Sequence, residues 1–230
     1  MKSLLLCIAI SFSMFSCTND QESATELSKD FKHESSFKVT DVANPNNPFD
    51  QIGLDYYNHL KNFELENGTV KSQSQLLEQL LYLTDRADKK RKTNKSVITI
   101  TPEMIAVILA DPQNKLIELI DNASISISLK SNLTAFVGEL VDKQNDDYDD
   151  VYNYIIDYED SVISDSLLVE EEKDTILKVS AISRYSLYAE ARKRDRDWET
   201  SVTNKPSKET DLKVNEITLA TLAVIFNNLY

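Results

Sequence analysis

Glycine is nearly missing from this chain, with three in 230 residues. Sandwiches and barrels turn at every strand end, and those turns draw on glycine for positive φ. The scarcity therefore argues against an all-β fold and for helices. Histidine and cysteine are equally scarce, at two residues each. A zinc centre normally takes three or four such ligands, so His33 and His59 give no metal site. Cations are also short, 25 Lys and Arg against 38 Asp and Glu, for a net charge of −13. Such a surface repels phosphate backbones and anionic lipid, which excludes nucleic acid as the expected partner. No G-x-S-x-G, P-loop, dinucleotide-binding or H-E-x-x-H pattern is present. The sequence nominates no catalytic residue, no metal and no cofactor.

What is present begins at the N-terminus. Lys2 precedes a nearly continuous apolar run from Leu4 to Phe15. That run is shorter than the roughly 20 residues of a spanning helix and suits the core of a signal peptide. Ser16-Cys17 follows, with Met14 at the third position before the cysteine. The segment resembles a relaxed lipobox, in which the cysteine is acylated and becomes the N-terminus. With Cys7 leaving in the leader, Cys17 is the one cysteine left, and no intramolecular disulfide can form. Acylation would remove a thiol that is a liability in an oxidising compartment, and two or three acyl chains hold a protein on a membrane where one is marginal. The expected anchor is lipid, palmitate among its chains, on Cys17. Thr18 at the second mature position points by analogy to the outer membrane, with the periplasmic or external side left open.

The organisation expected is a lipoprotein signal peptide at 1–16, a lipid-anchored flexible tether at 17–46, and a helical domain at 47–230. About 180 residues suffice for one sizeable core. Asn47 reads as a helix N-cap, Pro48 as the first helical position, and Asp50 as the acid that meets the positive helix end. Phe49, Ile52, Tyr56, Leu60 and Phe63 then fall on one helical face, and Asn67-Gly68 ends it. Ser72 and Gln75 form a capping box ahead of Leu76, Leu77, Leu80 and Leu81. Thr101-Pro102 and Asp111-Pro112 each open a short helix. Amphipathic stripes follow at 133–141 and 151–162, a longer helix at about 168–198, and a last one at about 211–230. Val97 to Thr101 and Ala123 to Leu129 alternate with period two and together make a candidate ribbon. The fold class expected is mainly α, an irregular multi-helix bundle with room for one small two-stranded ribbon.

The box Asn47-Pro48-Phe49-Asp50-Gln51-Ile52-Gly53 resembles the N-P-[YF]-D-x-[VI]-G opening of a group of uncharacterised secreted proteins, many from Bacteroidota. Tyr56 stands where many of those proteins carry a histidine. Ala181-Ile182-Ser183-Arg184-Tyr185-Ser186-Leu187, with Trp198 downstream, resembles a helix rich in serine and aromatics in the same proteins. The resemblance implies a helical secreted domain and no particular activity. Asn47, Pro48, Asp50 and Gly53 are read as a structural box. Gly53 within a helix costs up to about 1 kcal/mol against alanine, so a neighbouring helix is expected close against its bare backbone.

Candidate chemistry concentrates at 146–160. Asp146, Asp147, Asp149, Asp150, Asp157, Glu159 and Asp160 are dense enough to suggest calcium, yet Asp150 stands where an EF-hand loop needs glycine and Ile156 where it needs glutamate. A solvated acidic helix start is the favoured reading. Tyr148 and Tyr152, with Asp147 and Asp150, form the candidate surface for binding a sugar or a peptide. The function expected is that of a non-enzymatic cell-envelope lipoprotein whose helical domain binds a protein or other envelope partner. The alternatives are an enzyme with an unfamiliar carboxylate site and a glycan- or peptide-binding module.

Overall fold

The structure, a computed structural model, describes residues 41–90, 100–143, 146–201 and 216–227. Cys7, Cys17, His33 and Val97 to Thr99 lie outside the described residues. Within them the chain forms α1 (Asp50–Asn67), α2 (Gln73–Lys90), α3 (Pro102–Ala110), α4 (Pro112–Asn122), α5 (Ile127–Asp142), α6 (Tyr148–Ser164), α7 (Glu170–Ser201) and α8 (Glu216–Asn227). No strand occurs among the described residues, and none of these helices is long and apolar enough to cross a membrane.

The helix ends follow from local chemistry. Thr101 accepts the backbone N–H of Met104 at 3.2 Å and Pro102 occupies the first turn of α3. At the start of α2, Ser72 Oγ accepts the N–H of Gln75, while Gln75 Oε1 reaches back to the N–H of Lys71. Gly68, at φ 80°, closes α1 by donating its N–H to Glu64 O at 2.8 Å. That left-handed backbone is open to glycine at no steric cost.

Period-two alternation misleads at Ala123 to Leu129. Ser126 caps α5, accepting the N–H of Leu129 at 3.0 Å, and Ile127 to Leu129 are the first turn of that helix. A cap whose side-chain oxygen satisfies a free N–H outweighs a three-residue β preference.

Helix α7 is the element around which the rest is built, touching α1, α5, α6 and α8. Two apolar clusters lie on its sides. One joins α3 to α8 through residues such as Leu116, Leu133, Phe136, Ile155, Ile176 and Phe226. The other joins α1 and α2 to Ile105 and Ala220 through Leu60, Phe63, Leu76 and Leu80. Each fully buried leucine or phenylalanine contributes about 1.5–3 kcal/mol relative to an exposed one. Gly53 sits against α7 with no room to spare. A Cβ there would lie 2.4 Å from Tyr185 Cδ2 and 2.6 Å from Ala181 O.

The domain begins earlier than its sequence suggests. Residues 41–46 read as tether, yet Val42 and Asn44 are buried, and Val42 packs with Tyr185 and Tyr188. Helix α1 in turn begins at Asp50, not at Pro48. Asn47 Oδ1 accepts the N–H of Phe49 at 2.9 Å, and Asn47 O accepts that of Asp50 at 3.1 Å. Asn47 thus caps a tight turn leading into the helix. Its amide nitrogen donates to Leu177 O of α7 at 3.0 Å, which fixes the angle at which α1 enters the bundle.

Candidate functional site

The largest concentration of buried polar chemistry lies where residues 41–50 cross α6 and α7. Arg184 of α7 is fully buried. One of its terminal nitrogens donates to Val42 O, and the other donates to Asp50 Oδ1 at 2.7 Å and lies 3.4 Å from Glu159 Oε1. Glu159 of α6 is fully buried as well. It accepts from Asn44 Nδ2 at 2.6 Å and from Ser180 Oγ at 3.0 Å. Asp50, 21% exposed, accepts further bonds from Tyr185 OH and from the Asn44 N–H, both at 3.0 Å. Burial, with the Asp50 carboxylate beside it, pushes the Tyr185 hydroxyl above the usual tyrosine range.

Buried charges survive only when paired and hydrogen-bonded. Here one guanidinium serves two carboxylates, and Asn44, Ser180 and Tyr185 donate to the carboxylates as well, while Arg184 Nε has no partner among the described residues. The chemistry this permits is structural. Ser180 faces Glu159, but its hydroxyl also bonds Leu177 O inside the helix, and both side chains are sealed within the core. Removing Arg184 strands Glu159, whereas removing Glu159 leaves Arg184 paired with Asp50 and Val42 O.

A second polar group lies further along α7. Glu190 Oε1 accepts the N–H of Thr218 at 2.7 Å and its hydroxyl at 3.0 Å, and the same hydroxyl lies 3.0 Å from Ser186 Oγ. Tyr56 OH meets Thr221 Oγ1 at 2.9 Å. Burial raises the Tyr56 hydroxyl to about 12. These bonds join α8 to α7 and α1.

The residues singled out from sequence are divided by the fold. Asn47, Asp50 and Gly53 converge on α7, and Pro48 sits exposed in the turn before α1. Asp50 does more than meet the helix dipole, since it is a ligand of the Arg184 guanidinium. Tyr148 and Tyr152 stack with ring centroids 5.8 Å apart, but both are half-buried, and Tyr152 OH donates to Asp41 O at 3.2 Å. Burial raises both hydroxyls above the usual range. These rings hold residues 41–46 against α6. Asp147 and Asp150 are exposed at the start of α6, and the helix dipole there rewards their charge. Tyr154 and Tyr158 stack on Phe136 and belong to the core. His59 is half-buried on α1 with Nδ1 lacking a partner. No metal-holding group of three or more His, Cys, Asp or Glu occurs among the described residues. Glu159, counted with the solvated acids, is the exception to that reading.

Arg184, Glu159, Asn44 and Glu190 were the residues missed as site members. A signal for two of them was present. Glu159 occupies a core position in the stripe Val151, Ile155, Glu159, Val162, and Arg184 does so in Ala181, Arg184, Tyr185, Tyr188. Opposite charges on two apolar stripes mark a buried pair. Comparison of the chain with protein-family models, with curated proteins and with solved structures finds no match.

Proposed function

We propose that this protein is a cell-envelope lipoprotein, held at the outer membrane by lipid on Cys17, whose helical domain binds a protein or other envelope partner without catalysing a reaction. The observation that carries the reading is the apolar run from Leu4 to Phe15 ending in Ser16-Cys17. The fold is compatible with it. The charged groups buried around Arg184 serve the attachment of residues 41–47 to the domain, so a link to an anchor at Cys17 would enter the domain at a braced point. The likeness to uncharacterised secreted proteins belongs to the same reading. The two segments that carry it, Asn47 to Gly53 and Ala181 to Leu187, are bonded to each other through Asp50, Arg184 and Tyr185, which supports treating them as one structural signature.

The test has two parts. Cys17→Ala should release the protein from membranes and abolish palmitate labelling. A wild type that is already soluble and unlabelled defeats the anchor. Pulldown of the wild type from detergent-solubilised membranes should return a reproducible envelope partner.

A further inference from the structure

Four large hydrophobic side chains among the described residues are more than half exposed: Leu167 at 91%, Ile127 at 87%, Leu65 at 76% and Val169 at 56%. A single exposed leucine is ordinary, and Leu65, near the end of α1, is such a case. The other three lie in two segments that a hydrogen bond from Ser126 to Glu172 brings to one corner. Leu167 and Val169 flank the buried Leu168 in the link from α6 to α7, and Ile127 opens α5.

The corner is braced. The hydroxyl of Ser126, next to Ile127, donates to the Glu172 carboxylate. The Glu172 N–H donates to Val169 O at 3.0 Å, and the Lys173 ammonium donates to Ile163 O at 3.2 Å. The apolar side chains therefore stand on a fixed frame. Beside them Glu170, Glu171 and Glu172 form the first turn of α7. The Glu170 side chain, 85% exposed, pairs with the Lys173 ammonium at 3.7 Å, and the Lys173 side chain is itself 14% exposed. Three glutamates against the one lysine leave this turn with net negative charge beside the apolar side chains, the layout of a small interface with a charged rim.

We propose that this corner docks a cationic amphipathic segment of another protein, with apolar side chains seated on Ile127, Leu167 and Val169 and Lys or Arg paired with Glu170 and Glu171. The proposal rests on the partner-binding reading above and gives that partner its chemistry. A second copy of this chain does not fit, because it would bring the same glutamates and a net charge of −13. An anionic lipid surface is repelled for the same reason.

The probe is a labelled amphipathic peptide of leucine and lysine, about 15 residues long so that it can form a helix, with a leucine–glutamate peptide as its opposite. Both are titrated against the full chain in zwitterionic nanodiscs, with empty nanodiscs subtracted. The wild type should bind the lysine peptide and not the glutamate peptide. Ile127→Ser with Leu167→Ser should weaken binding roughly tenfold or more, as loss of a central apolar anchor does, without moving the melting temperature. Leu65→Ser should bind as wild type. Glu170→Lys with Glu171→Lys should reverse the preference between peptides. Equal binding of the two peptides by wild type, or a double serine variant that binds as wild type, overturns the proposal. So does a wild-type dimer in sedimentation that the serine variant abolishes, which would assign the corner to a second copy. The two readings fail separately. A membrane partner pulled down equally by wild type and the double serine variant removes the corner and leaves partner binding standing. An empty pulldown with the peptide result intact leaves the corner as a peptide site and removes the envelope partner.

Discussion

Two buried carboxylates, Glu159 and Glu190, meet α7 in opposite ways. Glu159 reaches α7 from α6 and shares the Arg184 guanidinium with Asp50, with Asn44 and Ser180 donating to it as well. Glu190 lies on α7 itself and accepts a backbone N–H and a hydroxyl from Thr218 of α8. The first arrangement ties together residues 41–50, α6 and α7. The second ties α7 to α8. Desolvating an ion pair costs several kcal/mol per ion, repaid by close opposite charges and their hydrogen bonds; with Arg184 Nε already lacking a partner, the first site has no slack and stands or falls as a unit. The Thr218 bonds of the second are single hydrogen bonds to a carboxylate, worth about 1.5–3 kcal/mol each, and can be removed one at a time.

The sharpest way to break that contrast is Arg184→Met. It leaves Glu159 buried without a cation and should cost about 3–5 kcal/mol, read by denaturant unfolding. Adding Glu159→Gln should recover part of the loss. A single variant that unfolds within about 0.5 kcal/mol of wild type would mean the pair is not an obligatory unit. Removing residues 41–46 from a chain that begins at Asp41 should cost about 2–3 kcal/mol. The losses are the burial of Val42 and charge-assisted bonds to Arg184 and Glu159, offset in part by the entropy of six released residues. Equal melting of the 41–230 and 47–230 chains would return those residues to the tether.

Gly53→Ala probes the face between the two sites. The new Cβ overlaps Tyr185 and the Ala181 carbonyl, and since Ala181 is backbone the helices must separate. A loss of about 1–3 kcal/mol is expected, against a gain of up to about 1 kcal/mol in helix propensity. A stabilised variant would show that α1 and α7 are not in this contact. Thr218→Val deletes one donor to Glu190 and keeps the backbone N–H, so about 1.5–3 kcal/mol should go. A loss as large as that of Arg184→Met would erase the difference between the sites.

The last effect is alkaline. Tyr56 ionises at about 12 in the fold against 10.0 when unfolded. Its folded value is the raised one, so the unfolded state gives up its proton first. The stabilisation is complete below pH 10 and is lost as pH rises towards 12. Stability of wild type should fall across that window, and Tyr56→Phe should fall less steeply. Parallel curves would show that Tyr56 does not contribute to the loss.

Most of the fold was legible because helices announce themselves locally. Apolar residues recur every three or four positions, and Thr101-Pro102, Ser72 with Gln75, and Asn67-Gly68 mark ends by satisfying or releasing backbone groups within a turn. The close packing at Gly53 was legible for the same reason, as a helix penalty that something must offset. What failed locally was a competition of short signals. Alternation at Ala123 to Leu129 gave way to the Ser126 cap, and the polar composition of residues 41–46 concealed the one valine and one asparagine that are buried.

The sequence by itself determined the helical class, the faces that must be apolar, and the net negative charge of the chain. Only the tertiary structure decided which charges go inside. Arg184 reaches Val42 across 142 positions, and Asn44 reaches Glu159 across 115. A helix pattern spans a few turns and carries no record of which distant stripe it will face. Whether an arginine is solvated or sealed depends on its partner's position in three dimensions, because burial is tolerable only once the opposite charge and the remaining donors arrive at the same place.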